Sequence, residues 1–355
     1  MQKSIGTALR PTLAFLSLAL ALPSPSVAQS LSEQLRVEIA RHRTVLDALP
    51  TSAFVDSERP RVKGQLDDAD SLLRADRVST AVETLASAIP GVGALARAST
   101  GWDDSGKGSG KHLDALQKEW EEVGRALKAG GAKFPPGKSD GQSAFLRAVA
   151  EQSLGQIDEH YAVAVDYGRF SGLTSGAYYL GRAEGHLTFA LFLSRLTSPP
   201  VKQTVTISTV AIPIATVESE IVTAYAKPGS TAQHTNFIIA NSSLKLARDL
   251  DGQGRPLGAL VTVLRSLFAL TLATMPPPAA DREGALSARV DAFEKQLGAS
   301  KHDQSIGEAF VEKARIALEK SRAGGEASDR ERLRAAALLD TVVPRYVGIM
   351  EGLEK

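Results

Sequence analysis

The sequence predicts an all-α protein, a multi-helix bundle of antiparallel helical hairpins with about twelve helices. Three observations carry that class. Apolar residues recur at spacings of three and four along most of the chain. Glycine and proline clusters cut the pattern into helix-sized pieces. One short extended segment near residues 204–208, where Val205 and Ile207 alternate with Thr and Ser, is the only strand-like stretch.

The chain opens with Lys3 and Arg10, an apolar run from Thr12 to Leu22, the helix-breaking Pro23-Ser24-Pro25, and small residues at Ser26 and Ala28. That is the order of a basic n-region, a short apolar h-region and an A-x-A-like cleavage site. The apolar run is too short to span a bilayer as a stable helix. Residues 1–28 are therefore expected to be a cleavable signal peptide, cut after Ala28, and the mature chain is expected to be periplasmic or secreted.

The helices follow in order. Ser30-Leu31-Ser32-Glu33 fits a capping box, in which serine and glutamate satisfy orphan N–H groups at a helix start. Leu35, Ile39, His42, Leu46 and Leu49 then form one face, and Pro50 ends the run. Breakers follow at Gly101 to Gly110, Gly130 to Gly141, Ser198-Pro199-Pro200, Lys227-Pro228-Gly229, Met275 to Pro278 and Ala323 to Ser328. Leu286, Val290, Phe293 and Leu297 make a second stripe, stopped by Gly298, and Phe310, Ala314, Ala317 and Leu318 a third. A last helix spans Ser328 to Leu353, with Pro344 expected to kink or interrupt it. The organisation expected is an N-terminal helical domain at 29–198, a connector at 199–214 and a C-terminal helical domain at 215–355.

Leu257 to Met275 is the most apolar internal run, but Arg265 sits near its middle. A charge there costs about 2.5–3.5 kcal/mol on insertion scales, so a packed helix is expected and no stable membrane insertion after signal cleavage. An internal echo appears at a shift of 178 residues. It pairs Leu66, Ala69, Leu72, Arg77, Ala81 and Thr84 with Leu244, Ala247, Leu250, Arg255, Ala259 and Thr262. Each copy reads as two helices about a short turn, over 66–88 and 244–267. The alanine spacing of twelve is similar to that of the tetratricopeptide hairpin, although Gln65 stands where its early aromatic would be, and the copies are not in tandem.

Composition excludes several function classes. Without residues 1–28, which carry two basic residues and no acid, Lys+Arg falls from 41 to 39 against 40 Asp+Glu, a net charge of about −1. That balance gives no case for nucleic acid or for an anionic membrane surface. The absence of cysteine removes disulfides, thiolate metal sites and cysteine nucleophiles. The 101–108 loop mimics a P-loop, but Gly108 stands where a magnesium-binding hydroxyl is required. No two of His42, His112, His160, His186, His234 and His302 lie three or four residues apart, and Asp158-Glu159-His160 points its side chains in different directions. No G-x-S-x-G elbow occurs, and Asp67, Asp68 and Asp70 lack EF-hand spacing. No catalytic residue, metal site or cofactor is expected.

The segment Glu159 to Leu196 stands out. It holds four of the six tyrosines, Tyr161, Tyr167, Tyr178 and Tyr179, beside Gly168, Gly172, Gly176, Gly181 and Gly185. Glycine costs a helix about 0.8–1 kcal/mol relative to alanine, so the run needs a reason: close helix approach, or backbone opened toward a ligand. Tyr178, Arg182 and His186 share a helical stripe, and with Tyr167 and Tyr179 they are the candidate ligand-binding residues. The leading expectation is a non-enzymatic scaffold or binding module of the cell envelope that offers helical grooves to a protein or peptide. The alternative is a small-ligand carrier or enzyme with its site around Tyr167 to His186. Intact mass measured on exported protein should give a chain beginning at Gln29; a mass retaining residues 1–28 would refute the cleavage site.

Overall fold

The computed structural model describes residues 30–100, 111–132, 142–170, 172–196, 202–203, 206–225, 231–276, 278–324 and 327–353. The expected signal segment 1–28 and the P-loop-like stretch 101–108 lie outside them. In order the helices are α1 (Leu31–Asp47), α2 (Ala53–Arg74), α3 (Val78–Ala98), α4 (Lys111–Ala132), α5 (Ala144–Phe170), α6 (Leu173–Leu193), α7 (Ala211–Ala224), α8 (Thr231–Gly252), α9 (Pro256–Thr274), α10 (Glu283–Ala299), α11 (Ser305–Arg322) and α12 (Ser328–Ala337). The last runs through a π-helical segment (Leu338–Val342) into α13 (Val343–Leu353). Counting that run once gives twelve helices and no strand among the described residues, the all-α bundle that the periodicity predicts. Of the expected extended segment, residues 204–205 lie outside the described residues; beside it, Gln203 makes an isolated bridge with His302.

Two units emerge. Unit 1 comprises Met1–Ser71, Thr84–Phe134 and Gln156–Leu196; unit 2 comprises Leu72–Glu83, Pro135–Gly155 and Thr197–Lys355. The divisions fall inside α2, α3 and α5.

In unit 1, α1 starts with the predicted capping box. Glu33 N–H donates to Ser30 Oγ at 3.2 Å, and Ser30 N–H donates to the Glu33 carboxylate at 2.7 Å. Leu35, Ile39, His42 and Leu46 are buried, and His42 Nε2 meets Glu38 Oε1 at 2.9 Å. Gly181 and Gly185 of α6 serve close packing against α3. A Cβ on Gly181 would fall inside contact distance of the Gly93 carbonyl, and one on Gly185 would lie 2.5 Å from Pro90 Cα. Pro90 sits inside α3 at that crossing, so the helix continues to Ala98 past it. Arg97, also on α3, donates to both oxygens of Glu184 at 2.7 and 2.6 Å and to Glu119 of α4 at 2.6 Å.

In unit 2, α9 is the most enclosed helix. The Glu151 carboxylate of α5 accepts from Arg147 Nε at 2.9 Å and from the Gly258 N–H at 2.8 Å, capping one orphan donor in the first turn of α9. Gly258 permits this approach, since a Cβ there would lie 2.7 Å from Glu151 Cβ. Two helices, α3 and α9, are long and apolar enough to cross a membrane by length and composition, yet 61% and 72% of their most apolar windows are buried within the protein.

Pro344 explains the π segment. Val343 N–H bonds to the Leu338 carbonyl, five residues back, and Pro344 has no N–H to give. The Leu339 carbonyl is left without a helical donor, and Arg289 Nη2 supplies one at 2.8 Å. The same guanidinium meets Asp340 at 2.6 Å.

The 178-residue echo is visible in the backbone. α2 and α8 each have 22 residues, and Ala53, Arg74 and Val78 at the helix ends correspond to Thr231, Gly252 and Pro256. Asp76 and Gly254 occupy the same turn position with φ of 58° and 70°. Arg77 N–H donates to Leu72 O at 2.8 Å and Arg255 N–H to Leu250 O at 2.9 Å, the six-to-one bond of a Schellman cap in both copies. Ala81 and Ala259, Leu85 and Val263, and Ile89 and Leu267 are buried at equivalent places.

Gly181→Ala should lower unfolding free energy by about 2–3 kcal/mol, because the carbonyl it would strike belongs to packed backbone and cannot swing aside. Gly131→Ala, with open space around the new Cβ, is the control. Equal urea midpoints for the two variants would contradict close α3–α6 contact.

Candidate functional site

The five residues singled out from the sequence come together in unit 1. Tyr167, 38% exposed, stacks on Tyr179 with ring centroids 5.2 Å apart and an interplanar angle of 18°. Tyr179 meets Tyr178 edge-on at 5.5 Å, and Tyr178 meets Phe54 edge-on at 5.5 Å. Arg61 donates to the Tyr178 hydroxyl at 3.2 Å. His160, on α5, was not among the five, yet its ring lies 6.1 Å from Tyr179 and 5.0 Å from His186. Sequence reasoning weighed His160 only as a metal ligand. Its real neighbours are on α6, a separation that no local spacing reveals.

The interior end of this cluster is short of hydrogen-bond partners. His186 is 6% exposed, and neither ring nitrogen has a hydrogen-bond partner among the described residues; the same holds for the buried His160 Nε2 and Arg182 Nε. Burial, and then the Arg182 charge, push the His160 imidazole down to about 4. Burial, then His160 and Arg182, hold His186 well below its ordinary value. Both rings are neutral at pH 7. Among the described residues no three of His, Cys, Asp and Glu converge as a metal set.

A second candidate lies wholly in unit 2 and was not legible in the sequence. A cleft of about 510 Å³ is walled by α8, α9, α11 and α12, with Thr80 of α3 at its edge. Its size falls within the ordinary range for small-ligand sites. Ile239, Phe268, Leu272, Phe310 and Ile316 give it apolar walls. Arg265, Lys313, Lys320 and Arg334 also line it, against one lining carboxylate, Glu331. On α11 the lining residues Phe310, Lys313, Ala317 and Lys320 recur at three and four, sharing Phe310 and Ala317 with the core stripe read in the sequence.

The cations differ in their state. Glu83 accepts from Arg265 at 3.1 Å and from Lys313 at 2.5 Å, so one carboxylate serves two positive groups. Burial acts to raise the Glu83 carboxyl, but Lys313 and Arg265 together hold it below the usual range. Burial lowers Lys313 more than Glu83 restores it. Lys313 Nζ also sits 5.0 Å from the Phe310 ring centre. Arg334 pairs with Glu331 at 2.7 Å near the surface. Lys320 is exposed and has no ion-pair partner among the described residues. The cleft thus offers apolar walls with surplus positive charge at one side.

A scan of protein-family models, a search of curated proteins and a search of solved structures each found no match to this chain.

The neutral histidines make unit 1 acid-sensitive. Between about pH 6.5 and pH 4 the unfolded chain binds protons that the folded chain refuses, so stability present above pH 6.5 is lost as pH falls. The slope reaches at most ~1.4 kcal/mol per pH unit per histidine. His186→Gln should flatten the fall in urea midpoint between pH 7 and pH 5. Identical profiles for variant and parent would mean that the ring is solvated.

Proposed function

We propose that the chain is a non-enzymatic binding protein of the cell envelope, and that the cleft of unit 2 takes a small amphipathic anion. The single observation behind this reading is the pairing of apolar walls with four cations against one lining carboxylate. An apolar body would displace water from Phe268, Phe310 and Leu272, at roughly 25 cal/mol per Å² buried. A carboxylate or phosphate head would meet Lys320 and Arg334 at the exposed side, while Lys313 and Arg265 remain engaged by Glu83. The export pattern at the N-terminus supports the envelope address.

A dansyl-labelled fatty acid should bind the purified chain with a blue-shifted emission. Dodecanoate and dodecyl phosphate should displace it, and dodecanol should do so at least ten-fold less well. Lys320→Glu with Arg334→Glu should weaken the anions at least ten-fold and leave dodecanol unchanged. Equal affinity for anion and alcohol, or no binding of the probe, would overturn the proposal.

A further inference from the structure

In unit 1, Nδ1 and Nε2 of His186, Nε2 of His160 and Nε of Arg182 are buried without a hydrogen-bond partner among the described residues; the two rings lie 5.0 Å apart, and Arg182 precedes His186 by one turn of α6. Buried polar groups are nearly always satisfied, so these atoms call for water or a polar solute beside them. The surroundings state its charge. Arg182 acts electrostatically on both imidazoles, and no carboxylate among the described residues pairs with it. Two acids of the same unit are engaged elsewhere: Glu184 holds Arg97 through both oxygens, and Glu58 holds Arg61 at 2.8 Å. A guanidinium without a counter-ion beside two neutral imidazoles repels a metal cation and attracts an anion.

We propose that the α5–α6 cluster is a binding site for a small oxyanion, a phosphate or carboxylate group held by Arg182, His160 and His186. Each neutral imidazole carries one N–H donor and one acceptor nitrogen. The guest's bare oxygens therefore take the Arg182 Nε–H and the imidazole N–H groups. A hydroxyl on the guest, such as the proton of hydrogen phosphate or the alcohol of a hydroxy acid, satisfies an acceptor nitrogen. The Tyr167–Tyr179 stack forms the outer wall, and Tyr167 is the member that reaches solvent. All these residues belong to unit 1, so the site is separate from the unit 2 cleft and stands or falls independently of it.

The test uses the full chain labelled with ¹⁵N at histidine, titrated at pH 7 and constant ionic strength with inorganic phosphate and, separately, with lactate. The imidazole signals of His160 and His186 should move and saturate while the other four histidines stay in place. Arg182→Gln should weaken binding at least ten-fold, and Arg182→Lys should recover part of it. Saturation by phosphate alone identifies a phosphate site, and saturation by lactate alone a hydroxy-acid site. If neither anion moves the two signals, water fills the cluster and the proposal is wrong. Shifts of equal size and midpoint in Arg182→Gln would overturn it as well, since the guanidinium would then play no part. The parent titration decides the matter even if a variant fails to fold.

Discussion

Backbone contact between α3 and α6 is the constraint on which unit 1 rests. Gly93 and Gly181 let two helices touch through their main chains, and Gly185 seats Pro90 one turn further along. The chain has no cysteine, so no covalent staple can stand in for that contact. The α6 face that follows is set by it. With Gly181 and Gly185 against α3, Glu184 reaches Arg97 as a two-pronged buried pair. His186 is buried on the same helix, toward His160. The ring cluster is a consequence of where the glycines lie.

Buried charge specifies both units. A buried ion pair adds little net stability, because desolvation consumes most of the attraction, but a mispaired one is very costly. Arg97 with Glu184 and Glu119 therefore excludes other registers of α3, α4 and α6 in unit 1. Glu151 does the same in unit 2, taking Arg147 on one oxygen and the first turn of α9 on the other. Glu83, shared between Arg265 and Lys313, joins the first turns of α3 to α9 and α11 and leaves the cleft beside it with surplus positive charge. Against this background Arg182 stands out, since no carboxylate among the described residues pairs with it, whereas Arg97 of the same unit has two.

The same hairpin is built twice with different chemistry at its turn. Gly254 takes a left-handed conformation at no steric cost, whereas Asp76 does so as one of the few residues able to tolerate it. That is why the first turn carries no glycine signal, although its hydrogen bonds match those of the second. The two hairpins also differ in use: the α8–α9 hairpin walls the cleft of unit 2, where Ile239 and Phe268 stand at the positions of Arg61 and Pro90 in the first.

Local pattern by itself determined the helical class, the capping box at Ser30, the buried stripes of α1 and α11, the irregularity at Pro344 and the echo at 178 residues. Each depends on residues within a few turns of one another, where hydrophobic period, capping and proline geometry act directly. It also drew attention to the glycine–tyrosine segment, because an unusual composition is visible without knowing its neighbours. Only the tertiary structure decided which reason the glycines serve, since close approach needs a second helix, and α3 lies some ninety residues away. Only it added His160 to the cluster and showed no carboxylate among the described residues paired with Arg182. The cleft was wholly hidden, because its walls come from four helices and one residue of a fifth, and positive charge that averages out along a near-neutral chain concentrates only when those faces meet.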